Sequence, residues 1–208
     1  MKTRRMKLNR QMPGWTAVRT AAQVIDTGGI ICFPTDTVYG FAASIYSRDA
    51  IDRLRSLKRR SLSEPFVIIA SDIDIVHEMV EVVTARHLRL MEAYWPGPLT
   101  IVFRASPMVP AYLTGAAGTV ALRIPDDVLT QSILRACGVP LAAPSANVRG
   151  KRPALNPEEV LAEFDGKIDL LLDGGSVESS DPSTIVSVNA RNLTVLRRGR
   201  VPVGRVRW

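Results

Sequence analysis

Ile30-Ile-Cys-Phe33-Pro-Thr-Asp-Thr-Val-Tyr-Gly40 is the stretch on which the reading of this chain turns. Four apolar residues, Ile30 to Phe33, follow the Gly28-Gly29 pair and are ended by Pro34, the pattern of a short strand buried on both faces. The loop after it carries two hydroxyls, a carboxylate and a phenol. Ligands of open α/β sheets gather where loops leave the strand ends, so this loop is a candidate binding element. A tight turn in which Thr35 and Asp36 cap backbone groups is the competing reading of the same residues.

Working outward, Ala17, Ala21, Val24 and Ile25 recur at helical spacing and Gly28-Gly29 stops that helix. Downstream, Ile51, Leu54 and Leu57 mark one face of a helix over 50–58, and Phe66 to Ala70 reads as a strand. Helical patterns over 73–80 and 86–94 precede a Trp-Pro-Gly-Pro turn and a strand over 99–103; another strand spans 119–124. A helix over 128–137 has Gly138 just past its end, and a short strand covers 140–143. Asn156 caps a helix that starts at Pro157 with Glu158 and Glu159 in its first turn. Strands at 169–172, 184–188 and 193–196 finish the chain. Alternation of strands and helices, then clustered strands, predicts a single α/β domain with a twisted mixed sheet flanked by helices.

The 208 residues suffice for one large core, and 46% hydrophobic with 23% charged residues excludes a disordered or fibrous chain. The net charge of +7 points to a polyanionic partner. Its distribution is uneven. Residues 1–10 hold five bases and no acid, residues 191–208 hold six arginines and no acid, and the residues between, with sixteen bases against all twenty acids, balance at −4. Residues 1–12 are therefore expected to be a basic N-terminal tail ahead of a domain over 13–208. Cys32 and Cys137 lack Cys-x-x-Cys spacing, and no secretory segment follows the basic start, so reduced, buried thiols and a cytoplasmic location are expected. The longest uncharged stretch, Ala105 to Leu122, is broken by Pro107, Pro110, Gly115 and Gly118, which argues against a membrane span.

The common catalytic signatures are missing. There is no Walker-type glycine loop and no Gly-x-Gly-x-x-Gly after a strand. His77 and His87 lie in predicted surface helices with no neighbouring ligand-type residue, so no metal site is assigned, and Ser145 lacks a nucleophile-elbow context. What remains is cationic and polar. Lys58-Arg-Arg60 closes a helix, where cations favour the helix dipole but also suit phosphate or carboxylate. Thr119, Ala121 and Arg123 share one face of a strand, and an arginine there is costly unless paired or facing a ligand cavity. Pro140 to Asn147 runs small residues into a Ser-x-Asn loop, close to which a ligand could approach.

Taken in order, Pro34-Thr-Asp-Thr-Val-Tyr-Gly40, Lys58-x-Arg60, Trp95-Pro-Gly-Pro-Leu-Thr100, Ala121-Leu-Arg-Ile-Pro125 and Ala143-Pro-Ser-Ala-Asn147 resemble the YrdC-like family of threonylcarbamoyladenylate synthases, from about residue 16 to 199. The resemblance implies the YrdC-like fold with a large concave ligand cavity. It also implies a nucleotidyltransferase that makes threonylcarbamoyl-AMP and pyrophosphate from L-threonine, bicarbonate and ATP with Mg²⁺. The product would serve threonylcarbamoyladenosine modification of tRNA. Thr35, Arg123, Ala143 and Ser183 would bind threonine; Lys58 and Arg60 would act on the phosphates as the catalytic pair, with Thr119, Ser145, Asn147 and Arg197 around the nucleotide. The chain departs from the family pattern at Glu64 and Ile69. As a short, single-domain form it would rely on partner proteins for transfer to tRNA. The alternative is a non-catalytic RNA-binding protein that uses the basic concave surface and ends.

Overall fold

The computed structural model describes residues 2–61, 64–114, 117–178, 181–189 and 192–202. Among them, strand β1 (Arg4–Lys7) precedes helix α1 (Trp15–Asp26), strands β2 (Ile31–Pro34) and β3 (Tyr39–Ser44), helix α2 (Arg48–Lys58) and strand β4 (Val67–Ile69). Helices α3 (Ile73–Met79) and α4 (Ala85–Tyr94) lead to β5 (Leu99–Arg104) and β6 (Thr119–Arg123). Helix α5 (Val128–Cys137), β7 (Leu141–Ala142), helix α6 (Pro157–Phe164), β8 (Leu170–Asp173), β9 (Thr184–Val188) and β10 (Leu193–Arg197) complete the order.

The described strands form one mixed sheet in the order β1-β8-β2-β3-β7-β4-β6-β5-β9-β10. Successive side chains of a strand point to opposite faces, and here both faces are covered. Ile31 and Phe33 pack with Ala17, Ala21 and Ile25 of α1 and Leu129 and Ile133 of α5. Cys32, Phe41 and Ala43 face the other way, toward Ile51 and Leu54 of α2, Leu90 of α4 and Phe164 of α6. The helix ends use the expected devices. Asn156 accepts from the Glu159 N–H at 2.8 Å, Asp127 caps α5 through the Thr130 N–H at 2.8 Å, and Gly138 ends α5 at φ 64°.

Two expectations are corrected. The polar loop expected to run to Gly40 gives way to β3 at Tyr39, which pairs antiparallel with β2. Tyr-Gly-Phe-Ala-Ala-Ser shows no alternation because every residue of β3 is buried, and glycine and alanine carry little strand signal. The basic N-terminal stretch is an edge strand and not a solvated tail. β1 pairs in parallel with β8, from Arg4 opposite Leu170 to Lys7 opposite Asp173. Arg5 is neutralised by Asp173 and Glu158, each at 2.7 Å, so its charge is used within the fold. Cationic side chains are also what sheet edges carry to prevent further pairing, which is why the strand reads as a tail in sequence.

Thr3 anchors this edge. It is buried; its hydroxyl donates to the Ile168 carbonyl at 3.0 Å and accepts from the Gly166 N–H at 2.9 Å. Thr3→Val keeps the shape and strands both backbone groups, so urea denaturation should show a loss of about 1–3 kcal/mol. An unchanged midpoint would mean that the N-terminal strand does not belong to the cooperative fold.

Candidate active site

Strands β2, β3, β7, β4 and β6 are neighbours in the sheet although only β2 and β3 are consecutive in the chain, and the start of β3 together with β4 and the segments after β2, β7 and β6 lines one cleft. Its walls include Thr35, Arg60, Ile69, Arg123, Ala143 and Ser145, together with Ser183 and Arg197 from the segment around β9 and β10. The sheet order thus collects what the sequence scatters.

The loop joining β2 to β3 is both a tight turn and a cleft wall, so its two readings hold together. The Thr35 hydroxyl donates to the Val38 carbonyl at 2.7 Å and accepts from the Thr37 N–H at 3.1 Å. Asp36, from the same turn, ion-pairs with Arg123 Nη2. Arg123 is buried at the end of β6, and its Nε donates to the Gly97 carbonyl at 2.8 Å. Two fixed acceptors therefore orient a guanidinium that lines the cleft. The second Asp36 oxygen, Oδ1, is buried and without a hydrogen-bond partner among the described residues.

Opposite stands the end of α2. Lys58 is 3% exposed, and its ammonium donates to the Ser145 carbonyl at 2.6 Å and to Asn147 Oδ1 at 2.7 Å. The Ser145 hydroxyl donates to the same Asn147 oxygen at 2.6 Å, and Asn147 Nδ2 is spent on the Lys151 carbonyl at 2.6 Å. The helix stops at Arg59, whose left-handed φ of 50° turns the chain and lets Arg60 reach the cleft. Arg60 donates to the Pro65 carbonyl at 3.0 Å and lies over the Phe66 ring. Glu64, one of the two family departures, pairs with Arg149 at 2.6 Å and stands 3.7 Å from Arg60. Ile69, the other, lines the cleft.

On the third side, Arg197 reaches back to Ser183, donating to its carbonyl at 2.8 Å and to its hydroxyl at 2.9 Å. The cations crowd one another. Burial, then Arg60 and Arg197, lower the Lys58 pKa from 10.5 to about 7. Burial, then Arg60 and Arg123, bring Arg197 to about 10, and burial likewise lowers Arg60. Such a group of desolvated cations is a receptor for an anion, which would relieve both the burial and the mutual repulsion.

Thr35, Arg60, Arg123, Ala143, Ser145, Ser183 and Arg197 thus line the cleft, and Lys58 and Asn147 bond its wall. Thr119 is not among the cleft residues; it opens β6 opposite Arg104. Sequence reasoning missed Asp36 as the partner of Arg123, and it missed Arg55. Arg55 is buried in α2, bonds the carbonyls of Ser61 and Glu64 at 3.1 and 3.2 Å and that of Tyr112, and so ties down the segment after Arg60. Nothing in a helical Arg at position 55 signals this. His87 is corrected from a surface to a buried residue. Its Nδ1 sits 2.9 Å from the Thr84 hydroxyl and its ring stacks on Phe103, so it caps α4. Cys32 is buried as expected, whereas Cys137 is only half-buried. No cluster of three metal-ligating residues and no helix long and apolar enough to cross a membrane occurs among the described residues.

The lowered Lys58 pKa sets a pH dependence. Between about 7 and 10.5 the unfolded chain binds the proton that the folded amine has lost, so this group makes stability rise with pH across that window. Lys58→Met should therefore be most favourable relative to wild type at pH 6.5, with the difference shrinking toward pH 9 in urea denaturation. A difference independent of pH would show that Lys58 titrates normally.

Comparisons with known proteins place the fold in a family. Residues 23–199 match the family model Sua5/YciO/YrdC, described as telomere recombination. The threonylcarbamoyl-AMP synthase of Pyrococcus abyssi (strain GE5 / Orsay) is 32% identical over 186 residues, covering 89% of this chain and 55% of the relative. The crystal structure of P. abyssi Sua5 complexed with L-threonine matches with a TM-score of 0.92 at 30% identity, over 97% of this chain and 59% of that one. E. coli YciO shares the fold, with a TM-score of 0.90 at 23% identity over 97% and 98% of the two chains. The chain spans a little over half the length of the two Pyrococcus relatives. With the family model matching most of its length and the fold in agreement, the chain belongs to the Sua5/YciO/YrdC family.

Proposed function

We propose that this protein is an L-threonylcarbamoyladenylate synthase, which joins L-threonine, bicarbonate and ATP into threonylcarbamoyl-AMP and releases pyrophosphate. The observation that carries the reading is the convergence of Lys58, Arg60, Arg123 and Arg197 on one cleft lined by hydroxyls. A relative of this chain bears the name threonylcarbamoyl-AMP synthase, and another was crystallised with L-threonine. Arg123, held by Gly97 and Asp36, would take the threonine carboxylate, beside Thr35, Ala143 and Ser183. Lys58, Arg60 and Arg197 would face the triphosphate, with Ser145 and Asn147 setting the position of Lys58. Thr119, away from the cleft wall, would contact only an outlying part of the nucleotide.

The threonine ammonium and bicarbonate condense to a carbamate, releasing water and one proton. A carbamate oxygen then attacks the α-phosphorus in line, and the bond to the β-phosphate oxygen breaks. Negative charge builds on the α-phosphate and on the leaving pyrophosphate, so fixed cations and alignment of the reactants are what the protein supplies. A side-chain nucleophile is not required. Mg²⁺ belongs to the proposal as the ion carried on ATP. The cleft's donors are mainly cations and hydroxyls, and its buried carboxylate Asp36 is committed to Arg123, so they do not form a protein cage for the ion.

Transfer of the threonylcarbamoyl group to tRNA by partner proteins, and a cytoplasmic location, are part of the same reading. A purely RNA-binding role suits the geometry less well, because Lys58 and Arg123 are buried, Arg60 and Arg197 are half-buried, and all four gather at one cleft, whereas phosphate-backbone binders spread theirs over a surface. Lys2, Arg4, Lys7 and Arg198 are exposed and leave direct RNA contact by the chain ends as a minor element of the proposal.

Purified protein given threonine, bicarbonate, ATP and Mg²⁺ should form threonylcarbamoyl-AMP and pyrophosphate in equal amounts, and omission of any one substrate should abolish the product. A folded protein that yields none contradicts the reading. Arg60→Ala should reduce turnover by about 100-fold or more while retaining the unfolding midpoint, because a fixed cation at the developing charge is lost. Wild-type turnover by that variant removes Arg60 from the chemistry.

A further inference from the structure

Arginines from both basic ends of the chain meet at the β2–β3 loop. Arg10, three residues beyond β1, donates from Nη2 to the Thr35 carbonyl at 2.7 Å and stands 3.3 Å from Asp127 Oδ1, the N-cap of α5. Arg200, three residues beyond β10, donates from Nη1 to the carbonyl of Asp36. Two successive peptide carbonyls of one turn are thus held from opposite ends of the sequence.

The backbone is shaped for both approaches. The aliphatic stem of Arg10 crosses Gly174, where an added Cβ would stand 2.6 Å from Arg10 Cγ and 2.8 Å from Pro34 Cγ. Gly199 lies so close to the preceding segment that a Cβ there would be 2.1 Å from the Pro182 carbonyl oxygen. The Arg200 N–H donates to that carbonyl at 3.0 Å, and the Val201 N–H donates to the Thr184 hydroxyl at 3.0 Å. Each arginine is led to the loop by a segment that is itself stitched to the sheet, since the Leu8 N–H continues the β1 register onto the Asp173 carbonyl at 2.9 Å.

We propose that Arg10 and Arg200 are positioning residues: together they clamp the Thr35–Asp36 turn and so set the Thr35 hydroxyl and, through the Asp36 carboxylate, the guanidinium of Arg123. This inference rests on the cleft being the threonine site. It explains why charges that look like solvated tails sit where they do. The clamp acts on the loop carrying Thr35 and Asp36 and makes no hydrogen bond or ion pair to Lys58, Ser145 or Asn147 among the described residues, so its loss weakens threonine recognition and spares ATP.

The test uses Arg10→Met and Arg200→Met, which keep most of each stem, with Arg10→Lys and Arg200→Lys as conservative variants. Threonine binding by calorimetry, the KM values for threonine and ATP, and thermal unfolding are measured for each. Each methionine variant should weaken threonine binding and raise its KM by about tenfold, as expected for a lost hydrogen bond from a charged donor, with the KM for ATP nearly unchanged. Lysine should restore part of the loss. If wild type binds threonine and both methionine variants bind it equally well, the clamp is refuted while the proposed function stands. A rise in both KM values together with a lowered unfolding temperature would show a structural role only and also refute it. If wild type neither binds threonine nor turns over, the reading of the cleft falls, and the clamp with it.

Discussion

The cleft depends on a buried guanidinium. Arg123 ends a strand whose neighbours are apolar, and an unpaired charge there would cost several kcal/mol. Its partners come from two separate turns, the carbonyl of Gly97 and the carboxylate of Asp36. Satisfying this one cation fixes the β2–β3 loop against the loop after α4, and those two walls define the space between them. Asp36 neutralises the guanidinium through Nη2 alone, so Arg123 remains able to read a carboxylate in the cleft.

Around this pair the fold arranges cations in positions where they disfavour one another. Lys58, Arg60 and Arg197 each lose proton affinity chiefly through burial; Arg60 and Arg197 also repel Lys58, Arg60 and Arg123 repel Arg197, and Arg149 and Arg55 repel Arg60 against the pull of Glu64. Stability alone does not account for such an arrangement, which costs free energy in the empty protein. It does account for a site whose ligand is a polyanion, because the ligand returns the missing charge balance. Arg55 and Asn147 act as the supporting shell: the first holds the segment after Arg60 through three carbonyls, and the second gives Lys58 a fixed acceptor.

Much of this was legible in the sequence where the signal is local. The run Ile30 to Phe33 between a glycine pair and a proline reads as a buried strand, and Asn156 before Pro157 reads as a helix start; both stand in the structure. The motifs at 34–40, 58–60, 121–125 and 143–147 mark residues that meet in the cleft. Elements set by tertiary partners were not legible. β1 hides its pairing with β8 behind a charge pattern whose acids, Asp173 and Glu158, lie more than 150 residues away. β3 is buried throughout and has no alternation to detect. The pairing of Asp36 with Arg123 and the burial of His87 follow from sheet order and helix packing, which no spacing rule encodes.

On the proposed function the protein would be a scaffold that aligns a carbamate with an α-phosphate among fixed cations, without a covalent nucleotidyl-enzyme. Ser145, one of the cleft hydroxyls, is engaged with Asn147 and beside Lys58. The stereochemistry at phosphorus decides the matter most directly. With an ATP analogue carrying sulfur at the α-phosphorus in a single configuration, one in-line displacement gives a threonylcarbamoyl-adenylate of inverted configuration. Retention would require two displacements through an enzyme-bound nucleotide and would contradict the account.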